Sequence, residues 1–367
     1  MAPALRSFRT LVPALCLVQL GFATVFADHF LLERTMIGGN AELYAFLRER
    51  LAVFDLPPDF YDAQYQNAAY DDAVDYLVGI AGAETREPFR FRVLYIWLVQ
   101  GLTALLSDCE TIRSGCGLQA AAFAAKLVNW GAILATFAVL VAAAPRVRRD
   151  SPVTLALAAV GTFSFGTLMT APFVMADILS GLVFALAALF YLQHRFLALV
   201  ATVCAGILVK EISIVLGVLI AAELLRADRR PLALILAGGA LPLALFVAVR
   251  VALGGDPLSL NYGWDVSRGE FEIRYFFMHA KGLFVPFLTK VLFGVGVPLL
   301  LLLAALRNDA ARPALLPFAG VCAALLVANL FLASMVVRVT APLAPLLAAA
   351  LIAHAGLLYE RQPRRAI

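Results

Sequence analysis

The sequence predicts an all-α protein, a polytopic transmembrane bundle of about ten helices with a large extracytoplasmic first loop. Three observations carry this. The 367 residues are 62% apolar and only 15% charged, with a mean hydropathy of +0.88. Soluble domains run about 45–50% apolar and about 25% charged, so a water-soluble core of this length would leave too much apolar surface uncovered. The apolar residues fall into runs of spanning length. Basic residues gather in alternate gaps between those runs: Arg146, Arg148 and Arg149; Arg226, Arg229 and Arg230; Arg307 and Arg312; Arg361, Arg364 and Arg365. Such gaps mark the cytoplasmic side of a membrane. The net charge of +4 gives no argument for nucleic acid.

The elements follow in order. A first helix at 9–27 runs outward. Arg6, Arg9 and Val25-Phe26-Ala27 would also suit a cleaved signal segment, and an uncleaved helix is the preferred reading. The stretch 28–92 is too polar to cross, yet Phe46, Leu47, Leu51, Val53, Phe54 and Leu56 suggest amphipathic helices on the outer surface. Residues 93–106 form a short apolar segment, re-entrant or interfacial. Helices follow at 118–144, 152–171 and 174–192. The stretch 195–225 carries Lys210-Glu211 at its midpoint. It reads as a hairpin of two short helices with its tip below the outer surface, because Arg195 and the cluster 226–230 then share one side. Further helices lie at 231–253, 281–306, 313–333 and 340–358, with an outer loop at 254–280. The chain is thus one transmembrane domain, 1–367. Its extracytoplasmic loop is 28–117, its bundle 118–358 and its cytoplasmic tail 359–367, with both termini cytoplasmic.

Of the five cysteines, Cys16, Cys204 and Cys322 lie in apolar runs and suit packing. Cys109 and Cys116 share one outer loop, where they form either a disulfide or two free thiols.

Ionisable groups at membrane depth are expensive and point to function. In a helix Asp71 and Asp75 share a face, as do Asp72 and Asp75. Clustered carboxylates raise one another's pKa, which suits a general base, or they hold a divalent cation. The alternative is an N-cap at Asp71 or Asp72. Arg90 and Arg92, in Glu87-Pro88-Phe89-Arg90-Phe91-Arg92, suit a phosphate at the surface or plain interfacial anchoring. Asp177 stands at the outer end of an apolar hairpin, as a functional acid or a carboxylate on a helix dipole. Lys210 and Glu211, as neighbours, do not face each other on a helix. Each points to its own partner, for example a phosphate for Lys210 and a sugar or cation for Glu211, unless they form a buried structural pair. Lys126, Arg250, His279, Lys281, Lys290 and Arg338 together suit an anionic headgroup near the outer leaflet. No Gly-rich phosphate loop, Ser/His/Asp motif, HExxH or zinc spacing is present.

The order of these features resembles the GT-C glycosyltransferases, polytopic enzymes that use polyprenyl-phosphate sugars. DDAVDYLVGIAG resembles the acidic outer loop of that superfamily. EPFRFRVLYIWL looks like its Pro-aromatic-Arg stretch, APFVMADILSGLVFAL like its Asp-bearing hairpin, and GILVKEISIVL like its short-helix hairpin with a basic-acidic tip. The resemblance covers roughly 60–230. It implies an inverting transfer at the outer face of a bacterial inner membrane, with a polyprenyl-phosphate-linked sugar as donor. Asp71 or Asp72 would be the base, and Arg90, Arg92, Lys210 and either Lys290 or Arg338 would stabilise the leaving lipid phosphate. The competing expectations are a transporter or flippase for a lipid-linked or anionic substrate, and a non-catalytic subunit of an envelope-assembly complex.

Overall fold

The computed structural model describes residues 10–25, 52–54, 71–85, 89–109, 111–226, 232–255, 291–292, 294–309, 311–332 and 336–360. The fold is all-helical, with no strand among the described residues. Its helices are α1 (Thr10–Val25), α2 (Asp71–Ile80), α3 (Val93–Leu106), α4 (Gly115–Ala143), α5 (Pro152–Thr162), α6 (Phe165–Thr170), α7 (Asp177–Leu192), α8 (Phe196–Val209), α9 (Gly217–Arg226) and α10 (Leu232–Ala252). They continue with α11 (Gly294–Ala305), α12 (Arg312–Leu332) and α13 (Val336–Glu360). Among the described residues, Gly115–Ala143 is the one helix long and apolar enough to cross a membrane by length and composition. Eleven of its 29 residues are buried, so much of an apolar helix faces outward.

Local chemistry sets the boundaries. Ser114 accepts a hydrogen bond from the Gly117 amide and opens α4 three residues before the expected start. Ser151 caps α5, with Pro152 in the first turn, where its missing N–H costs nothing. The expected single helix at 152–171 is broken instead. α5 ends at Thr162, and Ser164 caps α6 by accepting from the Thr167 amide. A serine able to satisfy orphaned amides offers the chain a new start, which apolar periodicity does not reveal. Helix α7 begins at Asp177 rather than at 174, with the carboxylate in its first turn, where the dipole favours it.

Helix α7 is the centre of the bundle, packed against α4, α8 and α13. Helix α13 is buried at every position from 341 to 350 and also covers α5 and α6. Small residues allow this closeness. A Cβ on Gly206 of α8 would lie 2.6 Å from Val183 Cγ1 and 2.9 Å from Ser213 Cβ. Both are stiffly held atoms, so Gly206→Ala is expected to cost about 1–3 kcal/mol, read as a lowered unfolding midpoint in detergent.

The stretch 195–225 is a hairpin, as expected. His194 Nδ1 lies 3.2 Å from a Glu223 carboxylate oxygen, 29 residues along the chain. A continuous helix would hold them roughly 43 Å apart. The turn is Lys210, in extended backbone (φ −161°, ψ 125°), followed by a 3₁₀ segment, Glu211–Leu216.

Cys109 and Cys116 form a disulfide, with Cα atoms 6.1 Å apart. It closes the loop leading into α4. By chain entropy such a short loop contributes roughly 2.5 kcal/mol.

Candidate functional site

Four stretches that the sequence singles out separately meet at one buried place. Arg92 precedes α3 and is 3% exposed. It forks onto Glu211, with Nε donating to Oε2 at 3.1 Å and Nη2 to Oε1 at 2.8 Å. Its remaining nitrogen, Nη1, donates to the Tyr76 hydroxyl at 2.7 Å, and the guanidinium lies 5.7 Å from the Tyr76 ring centroid. A two-pronged guanidinium–carboxylate pair is among the stronger and more directional polar contacts.

Lys210 Nζ donates to Asp177 Oδ1 at 2.6 Å. Both side chains are buried. The backbone explains why the two neighbours at the hairpin tip choose different partners. Lys210 is extended, and successive side chains on extended backbone point to opposite sides. Lys210 therefore reaches α7, while Glu211 reaches the start of α3. The expectation of separate partners holds. Their partners within the chain are Asp177 and Arg92.

An aromatic and amide shell supports the two pairs. Tyr76 and Tyr95 meet edge to face, with centroids 5.2 Å apart. The Tyr95 hydroxyl is 3.5 Å from Asn129 Oδ1. Asn129 Nδ2 donates to the Phe173 carbonyl at 2.8 Å, in the turn that delivers Asp177. Tyr76, Tyr95, Asn129, Asp75 and Asp177 are all fully buried. Burial pushes the Tyr76 phenol above its ordinary pKa, and the nearby Arg92 opposes this only in part. The phenol stays protonated at neutral pH. Arg90, half-buried, donates to the Gly254 carbonyl at 3.4 Å. Buried Arg250 lies 5.0 Å from the Phe91 ring and 4.3 Å from Phe246. Together they tie the end of α10 to the 89–92 segment.

The other expected residues divide as follows. Asp71 and Asp72 open α2, and their side chains lie outside the described residues, as does Lys290. Arg338 lies on α13, with its side chain also outside them. Among the described residues no three His, Cys, Asp or Glu side chains gather as a metal site. The expected cation at Asp71, Asp72 and Asp75 depends on side chains outside that set. Sequence reasoning assigned no role to Tyr76, Tyr95 or Asn129. A signal existed for Asn129, a lone amide inside AAFAAKLVNWGAIL.

At the opposite end of the bundle, Pro145, His194, Arg226 and Ala314 line one cavity. The loops that carry Arg146, Arg195, Arg226 and Arg312 thus share that end. Helix α7 runs from Asp177 at the charge cluster to this basic end, about 24 Å for its length. Compared with known proteins, the chain matches no family model, no curated sequence and no solved structure, so the chemistry of the site rests on its own geometry.

Proposed function

We propose that the protein is a polytopic membrane glycosyltransferase that moves a sugar from a polyprenyl-phosphate donor to an acceptor hydroxyl on the extracytoplasmic face. One observation carries this reading. Tyr76, Arg92, Asp177, Lys210 and Glu211, drawn from distant stretches, converge in one buried cluster away from the arginine-rich end. Burying ion pairs costs desolvation, and replacing such pairs with packed apolar residues is often neutral or stabilising. A cluster of five ionisable side chains is therefore a poor choice for stability alone.

Membrane insertion is supported by the large apolar side chains left outside the bundle. Trp97, Leu105, Trp130, Leu134, Leu197 and Leu316 are each more than half exposed. Water penalises such a surface, and lipid does not. Sidedness is supported by two features at opposite ends. Arginines crowd the end where α4 and α7 finish, as expected of a cytoplasmic face. The disulfide sits where α4 begins, and disulfides persist in oxidising compartments. A topology test follows. In a Cys16→Ala, Cys204→Ala, Cys322→Ala background, a membrane-impermeant maleimide is expected to label intact spheroplasts only after reduction. Labelling only after lysis would contradict this sidedness, and labelling of intact spheroplasts without reductant would contradict the disulfide.

In the reaction, Asp71, Asp72 or Asp75 takes the proton of the acceptor hydroxyl. The acceptor oxygen bonds to the anomeric carbon as the bond to the donor phosphate breaks, with inversion. Arg92 and Lys210 stabilise the departing lipid phosphate, exchanging carboxylate partners for phosphate oxygens. Arg90, Lys290 and Arg338 belong to the same phosphate-holding set.

Mass spectrometry of membrane lipids tests the reading. A deletion strain is expected to accumulate a polyprenyl-phosphate sugar. Wild type clears it, while Asp72→Asn and Lys210→Ala leave it high. An unchanged lipid pool in every strain would remove lipid-linked sugar transfer. The transporter reading would then lead, favoured by the helix breaks at Ser164 and at Lys210, since broken helices beside buried charges are a transporter feature.

A further inference from the structure

The basic end of the bundle holds a cavity of about 380 Å³, formed by the ends of α4, α7 and α9, the first turn of α12 and His354 of α13. That is within the usual range for small-ligand pockets, about 300–1,000 Å³. Its walls are alanines and leucines, and its polar groups gather on one side: Tyr191, Gln193, His194, Arg226 and His354. We propose that this cavity binds a phosphate group, with Arg226 and the Tyr191 hydroxyl as its principal contacts.

Four observations carry the proposal. First, Tyr191 is 1% exposed, yet its hydroxyl has no hydrogen-bond partner. Leaving a buried donor unmade is costly, so such a group implies a missing partner. Second, the Arg226 guanidinium lies 4.8 Å from the Tyr191 ring centroid. This cation thus lies over the face of the Tyr191 ring while its side chain stays partly open to solvent. Third, His194 adopts φ 56° just after the α7 C-cap. Glycine is the usual residue there, and a side chain in that conformation costs energy. The gain is that the imidazole reaches Glu223 at 3.2 Å. Glu223 is held by His194 and lies 3.9 Å from Arg226, so the acid is already matched.

Fourth, the surrounding charge favours an anion. The described residues of this end include Arg146, Arg148, Arg149, Arg195, Arg226, Arg307 and Arg312, against Asp150, Glu223 and Asp309. Three helix C-termini, of α4, α7 and α9, point the other way, each worth about half a charge. Full guanidinium charges outweigh them. The apolar walls leave room for a hydrophobic portion beside the phosphate. The site lies at the opposite end from the charge cluster and does not depend on the transferase reading.

The phosphate is either a lipid headgroup or free in solution, and one experiment separates them. Thermal unfolding of the full-length protein in detergent is followed with added phosphatidylglycerol, phosphatidylcholine, or inorganic phosphate against chloride at equal ionic strength. Wild type is expected to rise in midpoint with phosphatidylglycerol but not with phosphatidylcholine. A matching rise with inorganic phosphate identifies a soluble ligand; its absence identifies the lipid. Tyr191→Phe removes only the hydroxyl that has no partner, so its ligand-free midpoint is expected to equal or exceed wild type. Its apparent affinity falls about tenfold, and Arg226→Gln lowers it at least as much. Equal shifts with phosphatidylcholine, no shift with any phosphate, or wild-type affinity in both variants would overturn the proposal.

Discussion

Arg92→Ala is expected to cost about 3–5 kcal/mol of stability, among the largest effects of any single substitution here. The reason is what it leaves behind. Glu211 is 5% exposed and takes both of its short contacts from the Arg92 guanidinium. Without that partner it is a carboxylate enclosed in protein, and the Tyr76 hydroxyl loses its 2.7 Å donor. Removing both charges behaves differently. Arg92→Met with Glu211→Leu keeps most of the volume and removes the desolvation penalty, so its stability is expected to return close to wild type. Unfolding by denaturing detergent, read from helical circular dichroism, measures all three proteins. The double variant is expected to fold and remain inactive. Lipid analysis in the complemented deletion strain then reads activity apart from stability. A double variant as unstable as Arg92→Ala would mean that the pair is needed for packing rather than kept for chemistry.

This contrast also shows what was legible in the sequence. Composition and periodicity placed the helices well, because apolar runs are long and charges interrupt them seldom. The 93–106 segment matches α3 from end to end, and the hairpin at 195–225 follows from the length available between two basic gaps. Apolar patterning did not mark the break at Ser164, where one hydroxyl restarts a helix. For the site, the principle that intramembrane charge is costly selected Arg92, Asp177, Lys210 and Glu211 individually. It did not pair them. Pairing depends on the extended backbone at Lys210, which sends adjacent side chains to opposite sides, and on α2 bringing Tyr76 beside Arg92. These are tertiary facts with no local signature. The same cost argument, applied to uncharged residues, would have flagged Asn129 in its apolar helix. It did not extend to Tyr191, whose unmatched hydroxyl is visible only once its neighbours are known.

The Lys210–Asp177 pair allows a sharper separation of structure from chemistry. Asp177→Ala leaves a lysine ammonium in a buried site, and Lys210→Ala leaves a carboxylate. Each is expected to lose about 3–5 kcal/mol and, on the proposed glycosyl transfer, all measurable activity. The exchanged variant, Lys210→Asp with Asp177→Lys, restores opposite charges across the same 2.6 Å contact. It is expected to recover most of the lost stability. It is not expected to recover transfer, because the two positions are not equivalent. Lys210 stands at the tip of the α8 hairpin, next to Glu211, whose partner is Arg92. Moving the ammonium to position 177 puts it on the first turn of α7, where the helix dipole disfavours a cation, and takes it away from the hairpin tip that carries Glu211. Stability recovered with the donor lipid still accumulating assigns Lys210 to the phosphate. Stability and transfer recovered together would make the pair a structural clasp and return the phosphate-holding role to Arg90, Arg92, Lys290 and Arg338.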